Sequence, residues 1–265
     1  MIRLIGIDVD GTLVGSSGTV PPQVWQAADR ARAHGIQLAL CSGRPAFGVA
    51  FDYARRLDAA GWHVFQNGAS IIHLQSGESR SAPLPPERVA ELTRIARNTR
   101  DVLELYSDAT YVTESTSTWA REHAVLLGIP FRAQPFESLT GAVVRAQWLL
   151  TREDARRFAE SPPPDLELAE SSSPLMPDVR FVGLTRKGVS KGSAIRMVAE
   201  AYGVDLRDVM YVGDAGNDLP ALQIVGLPIA MGNADPAVRA AAAHTVGDVD
   251  SSGLIEAIEL AIQTR

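Results

Sequence analysis

The chain has 265 residues, of which 46% are hydrophobic and 21% charged, and its formal net charge is −6. That is an ordinary globular composition, long enough for one large domain or two smaller ones around a buried core. The acidic balance argues against nucleic acid as a partner, and no apolar run is long enough to span a membrane. The lone cysteine, Cys41, rules out an intrachain disulfide and fits a reducing cytoplasm.

Residues 2–7 form an apolar run that ends abruptly in Asp8-Val9-Asp10-Gly11, so a buried strand and then a turn are expected. Because the strand meets Asp8 so early, no signal peptide is expected in this stretch. Carboxylates at i and i+2 share one face of a strand, and Gly11 lets the backbone curl. Both acids are therefore expected to lean into one pocket. Two neighbouring anions are costly unless a proton or cation lies between them, and a divalent metal is the simplest remedy. Taken alone, Asp and Gly are also plain turn formers. The weight comes from a second acidic loop, Gly213-Asp214-Ala215-Gly216-Asn217-Asp218, which also follows an apolar strand, Val209 to Val212.

Between these loops, Pro21-Pro22 opens a helix to about His34, with Val24, Ala27, Ala28 and Ala31 at helical spacing and Gly35 as its stop. A second buried strand, Ile36 to Cys41, ends in Ser42-Gly43-Arg44-Pro45, and a helix to about Ala60 follows. A strand near Val64-Phe65, a hairpin-type turn at Asn67-Gly68 and a strand from Ser70 to Leu74 complete this part. The rhythm is that of a parallel sheet with covering helices.

After Pro83 the pattern changes. A helix is expected from Pro85-Pro86 to Thr99, then strands at Val102 to Tyr106 and Thr110 to Thr113 and a helix from Thr116 to Leu127. Next come a strand from Val143 to Leu150, a helix from Arg152 to Ala159, and a strand pair at Leu166 to Ala169 and Val179 to Leu184. This grouping suggests an α+β insert of about 100 residues. From Lys191 the α/β rhythm resumes. A helix runs to Tyr202, the strand Val209 to Val212 follows, and a helix begins near Asp218. Leu227 to Met231 reads as a strand, residues 236–243 as a helix, His244 to Val246 as a strand, and Ser251 onward as the last helix.

Ligands of open parallel sheets bind at the carboxyl ends of the strands. Asp8 and Asp10, then Ser42, Gly43 and Arg44, then Asp214, Asn217 and Asp218 all follow strands, and Lys191 opens a helix near the same edge. Phosphoryl transfer needs these residue types. One carboxylate attacks phosphorus, and a second protonates the leaving oxygen and then takes a proton from water. Mg²⁺ held by a few carboxylates shields the attacking acid, while a lysine, a hydroxyl and backbone N–H groups bind the phosphate.

At these residues the chain resembles the haloacid dehalogenase-like phosphatase superfamily. Asp8-Val9-Asp10-Gly11-Thr12-Leu13 is similar to its first motif, which implies Asp8 as nucleophile and Asp10 as acid/base. Ser42-Gly43-Arg44 sits where the second motif supplies a phosphate-binding hydroxyl. Gly188-Val189-Ser190-Lys191-Gly192 is similar to the third, with its phosphate-binding lysine. Gly213 to Asp218 is similar to the fourth, in which the first Asp binds Mg²⁺ and the last supports the metal waters. Asn67-Gly68-Ala69 and Met231-Gly232-Asn233-Ala234 resemble the Cof-like IIB branch, which carries a large α+β cap between its second and third motifs.

The resemblance implies an α/β fold with a Rossmann-like parallel-sheet core (residues 1–83 and 186–265) and an inserted IIB-type cap (residues 84–185). Expected ligand sets are Ser42, Gly43, Lys191 and Asn217 for phosphate, and Asp8, Asp10, Asp214 and Asp218 for Mg²⁺. The expected function is hydrolysis of a small phosphorylated metabolite, a sugar phosphate or phosphorylated cofactor. A sugar phosphomutase and a non-catalytic metabolite-binding protein are the alternatives. Lys187 is within reach of the same phosphate, but motif position favours Lys191. Arg44 reads as structural, tying a loop or meeting an acid, ahead of a phosphate role; Cys41 reads as core, and His34, His63, His73, His123 and His244 lack ligand spacing. Trp119, Arg121, Trp148 and Arg180 are candidates for leaving-group contact, set against plain core or surface roles. The cap looks thin between Gly128 and Val143.

Overall fold

Leu4–Ile7 forms β1, in which every residue is buried, as an apolar run covered on both faces must be. Pro22 opens α1 (Pro22–Ala33), whose buried face is Val24, Ala27, Ala28 and Ala31. β2 (Gln37–Leu40) runs parallel to β1. The helix expected after it, α2 (Val49–Asp58), starts only beyond Pro45 and Gly48, the latter at φ +63°, which hold residues 42–48 as an irregular loop. β3 (Trp62–Phe65) and β4 (Ser70–His73) form an antiparallel hairpin, and Ser42 N–H donates to Val64 O at 2.9 Å, seating β3 beside the end of β2. The computed structural model describes residues 1–173 and 175–264.

A second compact unit, Pro45–Val49 with Ser81–Val189, holds α3 (Pro86–Thr99), β5 (Val102–Tyr106), β6 (Tyr111–Thr113), α4 (Thr118–Leu127), β7 (Arg145–Leu150), α5 (Arg152–Glu160), β8 (Leu166–Ser173) and β9 (Met176–Arg186). Its five strands form an antiparallel sheet in the order β6-β5-β7-β9-β8. Leu105, Trp148 and Leu184 pack with Leu92, Ala96 and Ala155 of α3 and α5. Val102, Leu149 and Phe181 pack with Ala120 of α4 in a second cluster. β8 and β9 are longer than expected. Glu170 to Ser173 carry no apolar alternation to advertise a strand, yet their backbone continues the ladder with β9. β7 starts at Arg145 rather than Val143. Between Gly128 and β7 there is one 3₁₀ turn, Phe136–Ser138. Trp148 is a core residue at 2% exposure, Arg121 stacks over Phe131 at 4.7 Å, and Arg180 lies 3.6 Å from Glu170.

The other unit, Met1–Arg44 with Ala50–Arg80, is completed by Ser190–Arg265. It adds α6 (Lys191–Tyr202), β10 (Val209–Gly213), α7 (Leu219–Leu222), β11 (Leu227–Ala230), α8 (Pro236–Ala241), β12 (His244–Thr245) and α9 (Gly253–Gln263). The helix expected near Asp218 is a 3₁₀ turn, Gly216–Asp218, followed by the single turn of α7. β12-β11-β10-β1-β2 is a five-stranded, all-parallel, Rossmann-like sheet. The chain leaves β1 for β2 on one side and returns at β10 on the other. The carboxyl ends of β1 and β10 therefore flank the crevice where such sheets bind ligands. Among the described residues no helix is long and apolar enough to cross a membrane.

Candidate active site

Asp8 is the first residue beyond β1, and its N–H still donates to Val212 O of β10 at 3.0 Å, so the sheet fixes its backbone. Lys191 is the first residue of α6. That helix start is held by Ser190, whose side chain accepts from Ser193 N while the Ser193 hydroxyl accepts from Ser190 N. The Lys191 side chain is 0% exposed, and its Nζ donates to Asp8 Oδ1 at 2.5 Å and to Asp218 Oδ1 at 2.7 Å. Burying a lone ammonium would be prohibitive, so the pairing is what keeps this lysine inside. Lys187, the alternative, is exposed.

Asp218 is saturated with donors. Beside Lys191, Tyr211 Oη donates to Oδ1 at 2.7 Å, and the N–H groups of Asp214 and Ala215 donate to Oδ2 at 3.1 Å each. Asp214 in turn accepts from the Thr12 hydroxyl at 3.0 Å, which ties the first loop to the fourth. Gly11 makes this approach possible. It sits at φ +89°, and a Cβ there would lie 2.2 Å from Asp214 Oδ2.

Asp8, Asp214 and Asp218 offer carboxylate oxygens within 4.8 Å of one another, a group able to hold a metal ion. Burial, and then repulsion from Asp218, push the Asp8 carboxyl well above its usual range against the pull of Lys191. Burial likewise raises Asp214. For Lys191, burial opposes the charge, but Asp8 and Asp218 outweigh it and hold the ammonium above the ordinary lysine value. Three acids face one ammonium, so the cluster has the surplus negative charge that a divalent cation would offset. Because both Asp218 oxygens already accept hydrogen bonds, Asp8 and Asp214 are the acids with room to coordinate. Two carboxylates suit Mg²⁺, which keeps several waters and takes further ligands from a phosphate.

The other expected site residues have partners of their own. Asp10 does not join the three acids. Its carboxylate takes both arms of the Arg44 guanidinium, with Nε at 3.0 Å from Oδ2 and Nη2 on Oδ1. Burial opposes the Arg44 charge, and the Asp10 carboxylate overcomes it and raises the Arg44 pKa. Ser42 is fully buried, and its Oγ accepts the Arg44 N–H at 3.0 Å. Asn217 is exposed and donates to Asn67 Oδ1 at 3.0 Å. Cys41 is core, with burial raising its thiol far above the usual value. Sequence reasoning passed over Tyr211, and it quoted Thr12 and Asn67 in their motifs without giving either a role in the site. Tyr211 stands in an otherwise aliphatic strand, a visible sign of a buried hydroxyl in need of a partner.

Residues 5–258 match the family model described as haloacid dehalogenase-like hydrolase. The chain is similar to the pyridoxal phosphate phosphatase YbhA of Escherichia coli strain K12, 29% identical over 270 residues that cover 97% of each protein. It is also similar to the HMP-PP phosphatase of Shigella flexneri serotype 5b, 26% identical over 251 residues, 92% of this chain and 89% of that one. Among solved structures, the subclass IIB sugar phosphatase BT4131 superposes with a TM-score of 0.80 at 22% identity, over 97% of this chain and 98% of that one, a likeness of fold.

Proposed function

Because the chain belongs to the haloacid dehalogenase-like hydrolase family, we propose that it is a Mg²⁺-dependent phosphatase that hydrolyses a small phosphorylated metabolite through a phosphoryl group held on Asp8. The observation that carries this reading is the buried Lys191 ammonium gripped by Asp8 and Asp218, with Asp214 beside them at the ends of β1 and β10. A fixed cation beside a carboxylate at a strand end would bind a phosphate and leave the carboxylate aimed at phosphorus.

In the first step an Asp8 oxygen bonds to phosphorus as the ester oxygen departs with a proton from Asp10. In the second, a water that gives its proton to Asp10 attacks phosphorus and restores the Asp8 carboxylate. Asp10 reaches this role by turning out of its pairing with Arg44. Ser42 and Asn217 donate to the phosphate oxygens beside Lys191. Mg²⁺, held by Asp8 and Asp214, would neutralise charge on the transferring oxygens and offset repulsion between Asp8 and the phosphate. The relatives named for pyridoxal phosphate and HMP-PP support a phosphorylated cofactor or its precursor as the substrate class.

A panel of sugar phosphates, phosphorylated cofactors and aryl phosphates, assayed for released inorganic phosphate, tests the reading. Turnover is expected from wild type with Mg²⁺, and none from Asp8→Asn or after chelation. An isomerised sugar phosphate as product would replace hydrolysis with a mutase, and silence of the wild type across the panel would favour a binding role.

A further inference from the structure

The turn between β3 and β4 touches three of the four loops that gather around Asp8. We infer that its Asn67 is the positioning residue that aims Asn217 at the phosphate, an inference that rests on the phosphatase reading. Gln66 and Asn67 both adopt positive φ, 54° and 56°, and Gly68 follows at 104°. Consecutive left-handed residues other than glycine are costly and persist only where their surroundings enforce them.

Those surroundings are the other loops. Gln66 N–H donates to Arg44 O and Asn67 N–H to Ser42 O, each at 2.9 Å, which pins the turn to the loop after β2. A Cβ on Gly68 would lie 2.3 Å from Ser190 O, so the turn is seated against the start of the helix that carries Lys191. A Cβ on Gly43 would lie 3.1 Å from Asn67 Oδ1, so glycine there leaves the amide its space. With its backbone held on two sides, Asn67 presents Oδ1 to Asn217 Nδ2 at 3.0 Å. An amide nitrogen carries two hydrogens. Asn67 takes one, which fixes the rotamer and the amide orientation of an otherwise exposed side chain, and the second is left to donate to an anionic oxygen. Asn67 itself makes no contact with the ester. It acts through Asn217, and a polar donor fixed in advance binds a developing charge better than a mobile one.

The test is a double-mutant cycle, with kcat/KM on an accepted ester and inhibition by inorganic phosphate as readouts. Asn67→Gly keeps the left-handed turn but removes the acceptor, so it should lower kcat/KM and weaken phosphate inhibition by about tenfold. In the Asn217→Ala background the same change should cost almost nothing. Asn67→Asp keeps an acceptor and tolerates the turn. In that background Asn217→Ala should cost as much as it does in wild type, whatever the added charge does to both. Thermal unfolding of each variant registers any loss of fold. Equal losses from Asn67→Gly with and without Asn217, or no loss at all, would overturn the inference. Turnover by Asp8→Asn would instead overturn the phosphatase reading, so the two failures are distinct.

Discussion

Asp8 and Asp10 lie two residues apart yet face opposite surroundings: Asp8 is 5% exposed and paired with Lys191, while the Asp10 side chain, 58% exposed, is held in the fork of Arg44. The separation suits two carboxylates with different duties. On the proposed phosphatase reading, Asp8 is the reactant fixed at the sheet edge and Asp10 the acid/base at the exposed rim.

Asp10→Asn should therefore act on rate and hardly on stability. The pair with Arg44 is exposed, so its loss should change unfolding free energy by no more than about 1 kcal/mol. Loss of a general acid should slow alkyl phosphates by roughly 10²–10⁴-fold and activated aryl phosphates far less. Rates on two such esters, with a urea titration, check both halves.

Lys191→Met should do the reverse of a harmless charge removal. It strands the carboxylates of Asp8 and Asp218 in the interior, a change expected to cost about 3–5 kcal/mol at neutral pH. The sign of the pH dependence follows from Asp8. Its folded pKa is already raised, so the folded state holds its proton more tightly than the unfolded chain, and stability falls as pH rises past the ordinary carboxylate value. Without the ammonium that trend should steepen. Urea unfolding at pH 5 and pH 8 should show the variant closer to wild type at the lower pH.

His63 should impose an acid limit on the same unit. It is fully buried, accepts Leu40 N–H on Nδ1 at 3.0 Å, and its Nε2 lies 2.7 Å from Asp58 O, so the ring is neutral. Burial lowers its pKa from 6.5 to about 4. The unfolded chain takes up the proton first, so this contribution is whole above pH 6.5 and is lost as pH falls toward 4, on the order of 3 kcal/mol in all. The stability advantage of wild type over His63→Gln should shrink across that window in paired urea titrations.

In the second unit, Glu104 is a fully buried carboxylate that accepts from Tyr106 Oη at 2.5 Å and from Gln147 Nε2 at 3.3 Å, with His123 Nδ1 at 2.9 Å. Glu104→Ala leaves those buried groups without their acceptor and should cost about 3 kcal/mol, whereas Glu104→Gln, which keeps the shape and one acceptor, should cost less. Thermal unfolding of the two variants gives the comparison.

Much of this was legible in the residues. An apolar run stopped by Asp8, a helix opened by Pro22 with small apolar residues at its spacing, and acidic loops after two strands are local signals that tertiary context reinforces. Three features were not. The pairing of Asp10 with Arg44 joins residues 34 positions apart, and periodicity carries no information about which acid an arginine meets. The left-handed turn at Gln66 and Asn67 is enforced by bonds from another loop, against the preference of glutamine itself. The ladder of Glu170 to Ser173 with β9 is made by the backbone, so its polar side chains hid it.

A phosphoryl group carried on Asp8 is open to observation by acid-quenched turnover and peptide mass spectrometry. With Mg²⁺ and a substrate from the panel, the peptide containing Asp8 should gain one phosphoryl group during turnover and lose it once substrate is exhausted. A phosphoryl group on any other residue, or undiminished turnover by Asp8→Asn with no labelled peptide, would contradict it.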